Sequence, residues 1–237
     1  MGLPRLPASL RSLFGGLLGR AHRPDHADLS TVRDYFTRAA ADEEHYPSTI
    51  DPRIFFVRAV LDHLGDLNGR VAADIGSGKG RFARIVKERN PQATVIALDI
   101  AETMLHHVPA DVCKIGASMT QLPLATASVD GAYAIESLEH AVDIEGAVTE
   151  LARIVKPGGR IVIIDKNAQK WGKLETPAWE RWFGNGAFRG LPWPVRSGVG
   201  QERHPGDPFL QNAHGGRRHN SCGPPPPIAK QGGRPWA

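Results

Sequence analysis

Three glycines at alternate positions, Gly76, Gly78 and Gly80, follow the run Val71-Ala72-Ala73-Asp74-Ile75 and open a segment, Lys79 to Glu88, in which Phe82, Ile85 and Val86 share a helical face. Residues without a Cβ at a strand-to-helix turn let the main chain bend sharply and let a ligand lie against the backbone. The chemistry this spacing suits is nucleotide-type binding on Gly76, Ser77, Gly78 and Gly80. A phosphate-cradling P-loop is excluded, because Ala73 stands where its first glycine belongs and Gly80 where Ser or Thr belongs. A dinucleotide fingerprint is weakened, because Arg81 takes the place of its third glycine. Asp99 ends a second apolar, β-branched run, Ala93 to Leu98, nineteen positions after Gly80. A carboxylate there is placed to accept hydrogen bonds from both hydroxyls of a ribose; it reads equally as a helix N-cap, with Glu102 three residues on.

The form D-x-G-x-G-x-G resembles the first motif of the class I S-adenosylmethionine-dependent methyltransferases, and further marks of that family follow in order. Asp99-Ile100-Ala101-Glu102-Thr103-Met104-Leu105 resembles its second strand and next helix. Ala117 to Asp130 is similar to G-D-A-x-x-L-P-F-x-x-x-S-F-D, with Leu122, Pro123, Ser128 and Asp130 matching. Leu151 to Asp165 resembles the helix, turn and fifth strand, Pro157 ending the helix and Gly158-Gly159 making the reversal. The resemblance spans roughly residues 54–167 and implies S-adenosyl-L-methionine as cofactor. By it, Asp74 and the backbone of Gly76–Gly80 hold the methionyl end, Asp99 the ribose, and Ile100, Ser118 and Met119 the adenine. Ser118 departs from the family's usual Asp and offers a weaker, uncharged acceptor to the adenine amino group. Glu136, at the end of the fourth strand, borders the sulfur, and Glu139 and His140 are the candidates for a base. A helix-start histidine in an ordinary hydrogen bond is the plainer reading of His140.

These residues need an α/β scaffold, a Rossmann-like three-layer sandwich with a mostly parallel sheet. The chain has 237 residues, which suits one such domain with short appendages. Its boundaries read as a basic irregular leader (1–29), the methyltransferase domain (30–184) and a Gly/Pro-rich disordered tail (185–237). Two helices should precede the glycine turn: one capped by Thr31 with Asp34, the other opened by Asp51-Pro52 and running from Arg53 to Leu64. Tyr35, His45 and Tyr46 are then within reach of the pocket. Thr176-Pro177 should start a short helix with Trp179, Trp182 and Phe183 on one face, packing as core in preference to forming a lid. No β-patterned pair is legible after residue 203, so the carboxyl-terminal strands of a full methyltransferase sheet read as missing or altered.

Hydrophobic residues make up 41% of the chain, enough for a core. The formal charge of +4 sits in the tail, where residues 185–237 hold 7 Lys or Arg against 2 acids. A basic tail without interleaved aromatics is only a weak argument for a nucleic-acid partner, and none is expected. The two cysteines, Cys113 and Cys222, form no metal or disulfide pattern and fit a reducing cytoplasm; no metal is expected. No apolar run is long enough to span a membrane. The leader could lie on a membrane surface, although Pro4, Pro7, Gly15 and Gly16 oppose a helix there. The function read from the sequence is methyl transfer to a small-molecule acceptor. Two alternatives stand beside it: a cofactor-binding relic or regulatory subunit with an aberrant carboxyl end, and, more weakly, a nicotinamide-dependent oxidoreductase.

Overall fold

The computed structural model describes residues 28–166, 176–177 and 179–184. Five strands form one parallel sheet: β1 (Val71–Ile75), β2 (Thr94–Asp99), β3 (Cys113–Gly116), β4 (Val129–Ile135) and β5 (Val155–Ile164), in the order β3-β2-β1-β4-β5. Between them run α1 (Leu29–Ala39), α2 (Phe55–Leu64), α3 (Arg81–Arg89), a single turn α4 (Glu102–Leu105) and α5 (Ile144–Ile154). The central strands β1, β2 and β4 are largely apolar on both faces because both faces are covered. Ala72, Val95, Ala97, Tyr133 and Ile135 meet Val57, Val60 and Leu61 of α2 and Phe82 and Val86 of α3 on one side. On the other, Ala73, Ile75, Ile96, Leu98, Ala132 and Ala134 meet Leu151 and Ile154 of α5 together with Leu122 and Leu124. The period-2 alternation thus divides β1, β2 and β4 between two cores, as a three-layer α/β sandwich requires.

Strand order reverses at β1, whose neighbours β2 and β4 lead the chain away to opposite edges. The crevice beyond the carboxyl ends of these strands is where open α/β sheets bind ligands. In β5 the register jumps from Val129↔Val155 to Gly131↔Arg160, so Pro157-Gly158-Gly159 bulge out of the ladder where the sequence suggested a plain reversal.

Three local expectations are corrected. α1 is capped by Asp28, whose side chain accepts from Thr31 N at 2.8 Å, and not by Thr31. α2 starts at Phe55: Asp51 folds back onto Arg53, accepting from its backbone N–H at 2.8 Å and pairing with its guanidinium, which holds Arg53 out of the helix. The described part of Trp179–Phe183 is not helical, because its amides bond sideways, Arg181 N–H to Glu139 O at 2.9 Å and Phe183 N–H to Lys166 O at 3.0 Å. Phe183 is core, as expected, packed with Leu138, Ile144 and Val148. No helix among the described residues is long and apolar enough to cross a membrane. The leader before residue 28, Cys222 and the tail and final strands beyond 184 lie outside the described residues.

Candidate active site

The glycine turn is built by strapping one strand end to its neighbour. Gly76 N–H and Ser77 N–H both donate to Leu98 O, at 2.8 and 3.0 Å, so the loop leaves β1 and immediately crosses the tip of β2. Gly76, Gly78 and Gly80 all have left-handed φ, at 68°, 53° and 75°. Their surroundings differ. A Cβ on Gly76 would lie 2.6 Å from Ser137 Cβ, and one on Gly80 2.8 Å from Val108, whereas one on Gly78 would meet nothing within 4 Å. Gly76 and Gly80 are packed against protein, and Gly78 faces open space.

That space is a cavity of about 350 Å³ at the carboxyl edge of β1, β2 and β4. It brings together Asp74, Gly76, Ser77, Gly78, Asp99, Ile100, Ser118, Met119, Glu136, Glu139 and His140; Gly80 stands behind it as the N-cap of α3. Asp74 is 2% exposed, and its Oδ2 and the hydroxyl of neighbouring Ser77 have no hydrogen-bond partner. Burial pushes the Asp74 carboxyl up to about 8; the Ala83 amide pulls it down, the Asp99 charge adds to the rise and Arg81 opposes it. Asp99 is also buried and raised for that reason, but its oxygens are occupied: Gly78 N–H donates to Oδ2 and Ala101 N–H to Oδ1, both at 2.8 Å. Asp99 therefore clasps the glycine loop as well as facing the cavity; it does not cap α4, whose N-cap is Ala101. Ser118 Oγ lies 2.8 Å from Thr120 Oγ1, a local bond that competes with any role toward a base.

Glu136 holds φ 51°, a conformation costly for a residue with a Cβ, and pairs with Arg81 of α3 across the cavity. Beyond it the turn Leu138–His140 presents Glu139, 1% exposed in its side chain. Lys166 Nζ donates to Glu139 at 2.7 Å and to Glu180 at 2.8 Å, and Glu180 also accepts from Trp182 Nε1 at 2.6 Å. His140 Nε2 lies 3.5 Å from Glu139 and 4.0 Å from Glu180. Burial first and the Lys166 charge second pull His140 down to about 3, while burial raises Glu139 against the pull of Lys166.

α1 and the turn after it roof the cavity with Leu29, Val32, Phe36, His45, Tyr46 and Pro47. Of the three residues expected near the pocket, His45 and Tyr46 line it; Tyr35 does not, but its hydroxyl lies 3.0 Å from that of Tyr46. Sequence reasoning missed Lys79, Lys166 and Glu180. Lys79 is 2% exposed in its side chain and ties the glycine loop to the roof, donating to Asp42 O at 2.9 Å and to Glu43 at 2.8 Å. The signal for Lys166 was legible: it stands two residues past the end of β5, a strand whose carboxyl end opens on the ligand crevice. Glu180 left no such trace, since its place depends on the pairing of Phe183 with Lys166.

Residues 73–163 match a family model described as a methyltransferase domain. The O-methyltransferase rstn1 of Aspergillus nomiae is 34% identical over 116 residues, covering 46% of this chain and 52% of that protein. The malonyl-[acyl-carrier protein] O-methyltransferase of Xylella fastidiosa is 35% identical over 108 residues, covering 43% and 37%. The chain thus spans about half, or less, of the length of these curated relatives. Among solved structures, a chain of the complex between the Haloferax volcanii Trm112 methyltransferase activator and a methyltransferase superposes with a TM-score of 0.54 at 22% identity, covering 65% of this chain and 72% of that one. The geranyl diphosphate C-methyltransferase of Streptomyces coelicolor gives 0.52 at 16% identity, covering 70% and 78%. These two likenesses concern the fold.

Proposed function

We propose that residues 73–163, which match a methyltransferase-domain model, are a class I S-adenosylmethionine-dependent methyltransferase domain, and that the protein transfers a methyl group to a small-molecule acceptor in the cavity under α1. The observation that carries this reading is the pair Asp74 and Asp99, two buried carboxylates with no cation of their own, one of them with an oxygen lacking any partner. Such a site calls for a ligand that brings positive charge. S-adenosylmethionine brings an ammonium whose N–H groups the bare Asp74 oxygen can accept, which fits; the pyrophosphate of a nicotinamide cofactor has no such donor to offer, which disfavours the oxidoreductase reading.

In this reading Asp74 Oδ2 and Ser77 Oγ receive the methionyl ammonium, and the bare face of Gly78 lets the cofactor approach the loop. Asp99 retains lone pairs for the ribose hydroxyls while its two amide bonds fix its direction. Ile100 and Met119 flank the adenine, with Ser118 at its edge; Glu136, held by Arg81, borders the sulfur. When bound, the sulfonium supplies an activated methyl group and a neutral thioether leaving group. The chain's task is then alignment, worth up to ~7–11 kcal/mol in well-oriented systems. We take residues 30–184 as the functional unit.

Calorimetric titration of the full chain with S-adenosylhomocysteine and with NAD tests the assignment. The homocysteine analogue should bind and NAD should not. Asp99→Ala should weaken the former by roughly 1.5–3 kcal/mol, about ten- to a hundred-fold. Binding of NAD alone, or unchanged affinity in a folded Asp99→Ala protein, would overturn it.

A further inference from the structure

Resting on the methyltransferase reading, we propose that the acceptor end of this cavity selects an acceptor that carries a proton and no negative charge, a hydroxyl compound in preference to a carboxylate or phosphate. The selecting element is the buried bridge Glu139–Lys166–Glu180. One ammonium there serves two carboxylates whose side chains are 1% and 2% exposed, so the bridge holds an excess of negative charge. Two more acids stand beside it. Glu136 is matched by Arg81, and Asp165 at the end of β5 is held well above the usual carboxylate range by burial and by Glu139, so it keeps its proton and brings no cation. His140 adds no positive charge, since burial keeps it neutral.

An anionic acceptor needs a free cation, and the described lining offers none. Lys79 is tied to Glu43, Arg81 to Glu136, and Lys166 to Glu139 and Glu180; His45 is paired with Asp42. A further carboxylate brought to this end would meet the like charge of buried acids, where the repulsion is weakly screened. A hydroxyl meets the opposite situation. Its oxygen attacks the methyl carbon, the carbon–sulfur bond breaks with its electron pair going to sulfur, and the proton leaves to Glu139. Glu139 suits that part better than His140: burial raises the affinity of a carboxylate for a proton and lowers that of an imidazole. The apolar roof of Leu29, Val32, Phe36 and Tyr46 gives such an acceptor a hydrocarbon wall.

The test uses the full chain saturated with S-adenosylhomocysteine, so that failure of cofactor binding, which would sink the methyltransferase reading, is seen first. Benzyl alcohol and benzoate, one ring with and without charge, are then titrated by ligand-observed NMR. Benzyl alcohol should bind, and benzoate about tenfold or more weakly. Glu180→Gln, which leaves Lys166 one carboxylate partner in place of two, should shrink that gap at least several-fold; Glu139→Gln serves the same comparison if the first variant fails to fold. Benzoate binding as tightly as benzyl alcohol, no binding of either probe, or a gap that the substitutions leave unchanged would overturn the proposal.

Discussion

Asp74 and Asp99 lie at the ends of strands that meet at the ligand crevice, and burial raises both, but their hydrogen bonds differ. Asp99 has amides on both oxygens, whereas Asp74 is left with one oxygen bare and is pushed up to about 8. An acid with a folded pKa above its unfolded value holds a proton in the native state, so the free protein should lose stability as pH rises from about 4 to about 8 and then level off. Asp99, Glu139 and Asp165 are shifted in the same direction and add to the slope. An ammonium placed against its bare oxygen reverses the preference at Asp74. Binding of S-adenosylhomocysteine at pH 7 should therefore release up to roughly one proton, read by calorimetry in buffers of different ionisation enthalpy. Asp74→Asn should abolish the release; a release that persists in the variant would assign the proton elsewhere.

The glycines separate at the same scale. Gly76→Ala forces a Cβ to 2.6 Å from Ser137, which should cost ~1–3 kcal/mol in thermal unfolding. Gly78→Ala meets no protein atom, so it should cost only about 1 kcal/mol for its left-handed φ while losing cofactor affinity. Equal stability losses with unchanged binding would make the whole turn structural. The sequence pattern D-x-G-x-G-x-G located this loop, but it could not distinguish the glycine that faces the cavity from the two that face Ser137 and Val108. That distinction depends on residues 28 to 61 positions further along the chain.

Among the elements, the strands were the most legible and the helix starts the least. β1, β2 and β4 are dominated by buried apolar residues because both faces are covered, and a pattern of that kind survives any local detail. The starts of α1 and α2 instead turn on single bonds, Asp28 to Thr31 and Asp51 to Arg53, that several Asp and Thr residues nearby could have made. The roof was legible only as two tyrosines and a histidine. What fastens it is Lys79, a residue whose position in a glycine loop suggests phosphate chemistry and whose ammonium is instead buried against Asp42 and Glu43. Lys79→Met keeps the apolar stem and removes the tie. The expected result is S-adenosylhomocysteine release about tenfold faster by stopped-flow fluorescence, with association little changed. An unaltered release rate would show that α1 is held by its apolar contacts alone.

At the scale of the whole molecule, every described residue that lines the cavity lies at or before Glu180. Deleting residues 203–237 should therefore leave S-adenosylhomocysteine affinity within about threefold, or ~0.7 kcal/mol. Loss of binding in the truncated protein would move part of the site into the tail.

The roof has one further property, which belongs to synthesis. Residues 29–47 leave the ribosome before any strand does, yet the surfaces they cover, Ala101 and Met104 beside α4 and His140 after β4, are made much later. Closing so long a loop costs entropy that only a finished platform repays. On the nascent chain the apolar side of α1, with Val32 and Phe36, waits uncovered until the sheet has been assembled through β4. The roof is thus made before the platform it docks on, and its exposed interval in translation is set by the length of chain between them.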